Sequence, residues 1–339
     1  MSLHWKVMTD AINQIKSVPR MLQDLVFKTR NPQPADTIEV DIVVGNETLA
    51  PFVTDTEGGR MVGGTSRKER VIKTPRVRPK KLIKAKDLYT DRGVGISPYV
   101  PNGAASLEAA KNEKIAMELL DLKNIIDRRM EWMCAQALTG TMTVAQDNIA
   151  FVVDYLMPAA HKIVLAGADM WDTTTADVKG NIQTAADLIS DALDIEPDLV
   201  ICGKTAAAAL LNRVAADKWF YENSARLDPQ GGFQWSASKA FLGRAGGLDF
   251  YRYGKSFQNA AGASERFIAD DKVYVIATGA RFSIEFGNIL DLDAGANIVG
   301  EYFAKQWTKP DPSDMNILAE SRPLPVLWQP EAVVEIDVV

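Results

Sequence analysis

The chain has 339 residues, 47% hydrophobic and 24% charged, enough to bury a sizeable core in two domains or in one body with extensions. Two cysteines exclude a disulfide framework, and the two histidines, His4 and His161, have no partner at metal-ligand spacing. Residues 1–20 lack the apolar core of a signal peptide and no run is long enough to cross a bilayer, so the protein is expected to stay where it is made, with no membrane partner.

The net charge of -6 conceals an asymmetry. From residue 60 to 86 the basic residues are Arg60, Arg67, Lys68, Arg70, Lys73, Arg76, Arg78, Lys80, Lys81, Lys84 and Lys86, eleven against the single Glu69. That segment carries +10, which leaves -16 for the remainder.

Taken in order, residues 1–42 read as an arm with little core of its own. Val7 to Ile15 has weak helical periodicity and Pro19 stops it. Met21, Leu22, Leu25 and Phe27, with Val26, then form an apolar patch, the anchors by which a thin segment docks on another surface. Thr37 to Val44 alternates, with Ile38, Val40, Ile42 and Val44 on one side, and predicts a strand.

The cationic segment follows, preceded by Gly58-Gly59 and containing Gly63-Gly64. Pro75 and Pro79 forbid a continuous helix, and Val71, Ile72, Val77, Leu82 and Ile83 are too few to bury it as a domain. The pattern predicts a long two-stranded arm with a glycine tip. An isolated hairpin is marginal in water, so the arm needs a partner surface, and the acidic surplus of an identical chain is the economical one. Gly59 and Gly64 have the separation of a phosphate loop, but the required Lys is absent and no helix can begin there.

Ala104 to Thr139 predicts one long helix. Ile115, Leu119, Leu122, Ile126, Met130, Met133 and Ala137 keep one face apolar, and no Pro or Gly interrupts the run. Asn102 or Ser106 can cap its start, and Gly140 suits the left-handed residue at its end. At about 1.5 Å per residue the rod is about 50 Å long, so the rest of the chain must be laid along it. Glu108, Lys111, Glu113, Lys114, Asp121, Lys123, Asp127 and Arg128 are expected on its polar face, toward solvent or a neighbouring subunit.

Beyond it, Phe151 to Tyr155 and Lys162 to Leu165 predict a hairpin around Pro158. A helix from about Ala176 to Leu193 has Asp172 and Thr173 to Thr175 as capping candidates. Asp198 to Cys202 is a buried strand leading through Gly203 to an Ala-rich helix, Thr205 to Lys218. With strands at Leu248 to Tyr253 and Lys272 to Thr278, this is an α/β unit over about 186–295; Asn223 to Ser238 and Ser256 to Glu265 read as loops. Ile298 to Trp307 and Met315 to Glu320 predict a hairpin, and Val333 to Val339 a last strand that returns to partners near Phe151 to Leu165. Residues 186–295 are then an insertion.

The search for chemistry finds no convergent set. There is no nucleophile elbow, no dinucleotide fingerprint, and no Ser or Cys partner for either histidine. Cys134 and Cys202 lie in segments expected to be buried, as reduced packing residues. The pairs Asp270-Asp271 and Asp291/Asp293 read as turn residues, since a metal site needs more ligands. The basic segment has two uses, a like subunit or nucleic acid. No aromatic residue lies between Phe52 and Tyr89 for base stacking, and a pI near 5.2 repels a polyanion from most of the surface, so assembly is favoured.

The order of these parts resembles the major capsid proteins of tailed bacteriophages, in particular the lambda-type family. The resemblance spans the chain and is carried by Met21-Leu22 through Phe27, by Gly63-Gly64-Thr65-Ser66-Arg67 leading through Pro75 and Pro79 to Lys80-Lys81, and by Ala137-Leu138-Thr139-Gly140. Val153-Asp154-Tyr155, Trp171-Asp172 and Pro323-Leu324-Pro325-Val326-Leu327-Trp328 complete it. It implies an α+β, HK97-like capsid fold: an N-terminal arm (1–42), an extended basic β-hairpin loop (43–95), and a peripheral domain with a long spine helix (96–185). An inserted α/β axial domain (186–295) and peripheral C-terminal strands (296–339) would follow. It further implies a structural, non-enzymatic protein without cofactors that assembles in the host cytoplasm into pentamers and hexamers of an icosahedral virion capsid. The implied partners are a portal, a scaffold, a decoration protein in some relatives, and packaged DNA bound without sequence specificity. Because the sequence begins almost at the arm, a separate scaffold is expected.

Overall fold

The computed structural model describes residues 5–15, 20–44, 66–84, 104–146, 149–217, 240–259, 262–294, 297–310 and 314–339. The first part of the chain forms α1 (Trp5–Gln14), α2 (Met21–Leu25), β1 (Thr29–Pro32), β2 (Thr37–Val44), β3 (Ser66–Lys73), β4 (Lys80–Lys84) and α3 (Ala104–Leu138). The middle forms β5 (Thr141–Gln146), β6 (Ile149–Asp154), β7 (Lys162–Val164), α4 (Val178–Leu193), β8 (Leu199–Cys202), α5 (Lys204–Asp217), β9 (Phe241–Ala245) and β10 (Leu248–Arg252). Then come β11 (Ser256–Gln258), β12 (Ser264–Arg266), β13 (Lys272–Ile276), β14 (Phe282–Phe286), β15 (Phe303–Lys309), β16 (Asp314–Glu320), β17 (Pro323–Leu327) and β18 (Val333–Asp337). The chain divides into two compact units, the first of Met1–Ile38, Ile72–Met133 and Ile284–Pro325, the second of Glu39–Val71, Cys134–Ser283 and Val326–Val339.

In the first unit, the stripe predicted for α3 is buried at Ile115, Leu119, Leu122, Ile126, Met130 and Met133. Burying side chains of this size contributes about 1.5–3 kcal/mol each, so the stripe dominates the unit's core. A three-stranded antiparallel sheet, β15-β16-β4, lies in the same unit, with Phe303 opposite Glu320 and Ile317 opposite Lys81. Helix α1 docks on β15 by its buried Met8 and Ile12 and by Thr9, whose hydroxyl donates to Ala304 O (3.2 Å) and accepts from Ala304 N (3.1 Å).

In the second unit the central sheet has six strands in the order β7-β18-β13-β8-β10-β9. β10 runs parallel to β8 and β18 parallel to β7, while β13 is antiparallel to both of its neighbours. All four residues of β8 are buried, as its continuous apolar run requires of a central strand. Helix α4 packs on β13 and β18 through Ile182, Ala185 and Ile189. Its cap is Asp177, which accepts from Gly180 N at 2.8 Å, rather than Asp172 or Thr173 to Thr175.

Three pairings differ from expectation. The two-stranded arm joins β2 to β3, whereas β4, the last part of the basic segment, belongs to the sheet with β15 and β16. The expected hairpin of Phe151 to Tyr155 with Lys162 to Leu165 does not form. Gly140, left-handed at φ +80°, turns the chain out of α3 so that β5 reaches β6 first, and Tyr155 N donates to Gly140 O (2.9 Å). β7 is left for the closing strand β18. Ser256 to Glu265, expected as a loop, contains the short antiparallel pair β11-β12, with Phe257 against Phe267 at 5.0 Å between ring centres. Asn223 to Ser238 lies outside the described residues.

A Cβ on Gly140 would lie 2.7 Å from Met157 Cβ in addition to occupying a left-handed position. Gly140→Ala should therefore lower stability by about 1 kcal/mol or more, read as a fall in the urea midpoint of the purified protein.

Candidate assembly surface

The N-terminal arm is seated on a polar face of α3. Leu22 and Phe27 are fully buried, and Met21 and Leu25 are half-buried. Glu131, wholly buried, accepts from Leu22 N (3.0 Å), from Gln23 N (3.4 Å) and from Gln23 Nε2 (3.2 Å), capping buried first-turn amides of α2 that have no partner within the helix. One turn earlier Gln23 Nε2 also reaches Asp127 O (3.0 Å), and Asp127 Oδ1 accepts from the Tyr302 hydroxyl (2.5 Å). Lys123 donates to Ile12 O (2.9 Å) and Ile15 O (2.5 Å) at the C-terminus of α1, where a cation complements the helix dipole.

Lys123 and Asp127, expected on the polar face of α3 toward solvent or a neighbouring subunit, are buried within the chain, because the arm and the tail cover that side of the rod. Desolvation lowers the pKa of Lys123 and raises those of Asp127 and Tyr302. Sequence periodicity could not find this face. Its signal was the spacing of Lys123, Asp127 and Glu131, four residues apart on one stripe.

The basic segment is tied down at its C-terminal end. Thr74 donates to Asp36 O through both N and Oγ1 (2.9 Å each), and Thr74 packs so closely on Gly287 that a Cβ there would lie 2.1 Å from Thr74 Oγ1. Arg76 and Arg78 then grip Glu320, a carboxylate with no exposed surface: Arg76 through its Nε and at 2.9 Å through its second amino group, Arg78 through Nε at 3.0 Å. The Glu320 hydrogen bond raises the Arg76 pKa. Arg78 also approaches Asp291 (3.5 Å), which Lys305 holds at 2.7 Å. Further along, Lys81 on β4 binds Glu118 (2.7 Å) and Asp121 of α3.

Arg76, Arg78 and Lys81, expected to face a neighbouring subunit, are thus paired with carboxylates of their own chain. For the two arginines the physical reason is Glu320: buried without a cation it would cost several kcal/mol. Among the other basic residues, Lys73 is exposed and 3.6 Å from Asp36, Lys80 is exposed with Nζ 5.8 Å from the centre of the Trp307 ring, and Lys84 is exposed at the end of β4. Arg67, Lys68 and Arg70 lie in β3, and Arg60 and Lys86 lie outside the described residues.

The acidic pairs behave as turn residues. Asp270 O caps α5 by accepting from Thr205 N and Ala206 N (2.9 Å each), and Asp291 and Asp293 share Lys305. No group of three or more His, Cys, Asp or Glu suited to a metal ion occurs among the described residues. Cys134 and Cys202 are buried and form no disulfide, and burial pushes the Cys202 thiol up to about 12, far from a reactive thiolate. His161 is buried with Nδ1 3.1 Å from Val333 O.

Two outcomes test this geometry. Glu131→Ala strands the buried amides of Leu22 and Gln23 and should cost about 2–3 kcal/mol, with faster hydrogen exchange confined to the N-terminal arm. At Lys81, desolvation is outweighed by the hydrogen bonds to Asp121 and Glu118, so its pKa is raised; at Glu118, desolvation is outweighed by Lys81 and Lys114, so its pKa is lowered. The Glu118 contribution is complete above its ordinary value of 4.5 and is lost as pH falls through the lower folded value. Urea midpoints of Glu118→Gln should therefore converge on the parent's at acid pH and fall below them at pH 7.

The chain matches the family of phage major capsid protein E over residues 4–338. No curated protein matches it. Among solved structures, it superposes on a protein described as a prophage capsid protein of Escherichia coli CFT073 with a TM-score of 0.74 at 18% identity, covering 100% of both chains. The SrpI encapsulin of Synechococcus elongatus PCC 7942 gives 0.51 at 12% identity over 100% of this chain and 96% of the encapsulin. The procapsid of satellite phage P4 gives 0.50 at 12% identity over 98% and 95%. The fold is the α+β, HK97-like capsid fold, and the chain belongs to the phage major capsid protein E family, non-enzymatic structural proteins of the virion capsid.

Proposed function

We propose that this capsid protein forms pentamers and hexamers of an icosahedral head in which the basic segment of each copy lies over an acidic face of the next. The single observation behind this reading is how the basic segment is fastened. Arg76, Arg78 and Lys81 hold its C-terminal end on carboxylates of their own chain, while Arg67, Lys68 and Arg70 belong to β3, which pairs with β2 in a two-stranded sheet among the described residues. A two-stranded ribbon with so much like charge gains little from folding by itself and gains a counter-charge from a neighbour. In this reading residues 1–42 are the N-terminal arm, 43–95 the extended loop, and α3 the spine. About 186–295, with β18, forms the axial domain whose copies meet at the centre of each ring.

A portal, a scaffold and DNA packaged without sequence specificity complete the proposed set of partners. The satellite phage P4 procapsid includes a size-determination protein, a precedent for an assembly factor acting on this fold. Nucleic-acid binding as the primary role has less to support it, since the body carries -16 and the basic segment has no aromatic residue for stacking.

The decisive variant combines Arg67→Glu, Lys68→Glu and Arg70→Glu, which leaves the clamp on Glu320 intact. Expected are a thermal midpoint within a few degrees of the parent and no rings or shells by electron microscopy. Normal particles would refute the arm-over-neighbour arrangement. A purified monomer that instead binds DNA with steep salt dependence, lost in this variant, would favour the nucleic-acid role.

A further inference from the structure

We propose that Arg322 is the floor of an oxyanion site that a carboxylate of a second copy of this chain fills, an inference that rests on the assembly reading above. Arg322 stands between β16 and β17 and is only 7% exposed, yet its Nε and Nη1 have no hydrogen-bond partner among the described residues. A buried guanidinium in that condition is uncommon, because each unpaired donor has lost its hydration and the charge has lost more.

The nearby carboxylates are committed elsewhere. Glu320, two residues before Arg322, is gripped by Arg76 and Arg78. Glu285 lies two residues before Gly287, whose N donates to Arg322 O (2.9 Å), and it accepts from Asn31 Nδ2 (2.9 Å) and Gln33 Nε2 (2.8 Å). The carboxylate that does approach is Asp36: its Oδ2 is 4.0 Å from Arg322 Nη1, at the outer limit of an ion pair, and is shared with Lys73 at 3.6 Å. Two cations therefore face one carboxylate. Water at Nε and Nη1 would supply acceptors but no charge, so one positive charge stays unbalanced. All of these residues belong to the first unit.

The missing group follows from the chemistry. A planar guanidinium with two open donors matches the paired oxygens of a carboxylate or a phosphate. Entry is from the side of Asp36 and Lys73, whose side chains are 38% and 72% exposed. The chain itself carries carboxylates in excess, -16 outside residues 60–86, and a capsid protein meets further copies of itself. An arginine already desolvated and held by its backbone to Gly287 loses little on receiving such a group, which is how single residues come to dominate an interface. Free phosphate offers the same oxygens, and the two sources are separated by experiment.

Arg322→Met keeps the length of the side chain and removes the charge. Expected are a thermal midpoint of the unassembled protein at or above the parent's, since an unbalanced buried charge is gone, and a fall of about tenfold or more in the assembled fraction by sedimentation velocity. A midpoint well below the parent's would mean that the charge is balanced within the chain and would overturn the site, as would assembly at the parent level. If the β3 charge reversal still abolishes shells in that last case, the assembly reading stands without the site; shells in both variants overturn both. A second readout adds inorganic phosphate, against sodium chloride of equal ionic strength, to the unassembled parent and to Arg322→Met. Phosphate should raise the parent's midpoint more than the variant's, and equal shifts would overturn an oxyanion site. Phosphate should also inhibit assembly of the parent by competing with the second copy's carboxylate. Promotion of parental assembly relative to the variant's would assign the site to a free anion and overturn the second copy's part.

Discussion

Glu320 is the residue on which the first unit depends. It ends β16, is shielded wholly from water, and accepts from Arg76 and Arg78, the two arginines that flank the isolated bridge between Val77 and Ser321. A carboxylate in that position is tolerable only with both cations in place, so the chain after β3 has little freedom in where it enters β4. Because Arg78 also reaches Asp291, which Lys305 holds as well, one buried charge fixes the end of the basic segment, the edge strand β4 and the chain at Asp291. Such networks are costly to break and confer a single geometry, which a subunit repeated many times in one shell requires.

The same logic operates on the other side of α3. Lys123, Asp127 and Glu131 present charged or polar atoms to backbone groups of α1 and α2 and to Tyr302, in surroundings dry enough to shift the pKa of Lys123 down and that of Asp127 up. The N-terminal arm is thus held by directional hydrogen bonds as well as by Leu22 and Phe27. Hydrogen bonds to buried carboxylates specify register, whereas apolar anchors alone tolerate slippage. Together the two networks make the long helix a frame gripped from both flanks.

Much of this was legible in the sequence because it is local. The apolar stripe from Ile115 to Met133, the stop at Gly140, the strand at Leu199 to Cys202 and the hairpin of β15 with β16 follow from periodicity, from a left-handed glycine and from turn chemistry. The charge asymmetry of residues 60–86 was equally plain. The roles of individual lysines and arginines were not, since sequence counts charges without their counter-charges: Glu320 lies more than two hundred residues from Arg76.

What the amino-acid sequence determined by itself is the inventory: one long amphipathic helix, an anchored arm, a cationic extension, an α/β segment and a strand-rich tail. What only the tertiary structure decided is which strands share a sheet and which charges cancel. β4 leaves the arm for β16, β18 inserts between β7 and β13, and Lys123 and Asp127 turn inward. The physical reason is range. Propensity and periodicity act over a few residues, whereas sheet partners and buried ion pairs are selected among segments far apart in the chain, by whichever arrangement leaves the fewest apolar faces and unpaired charges.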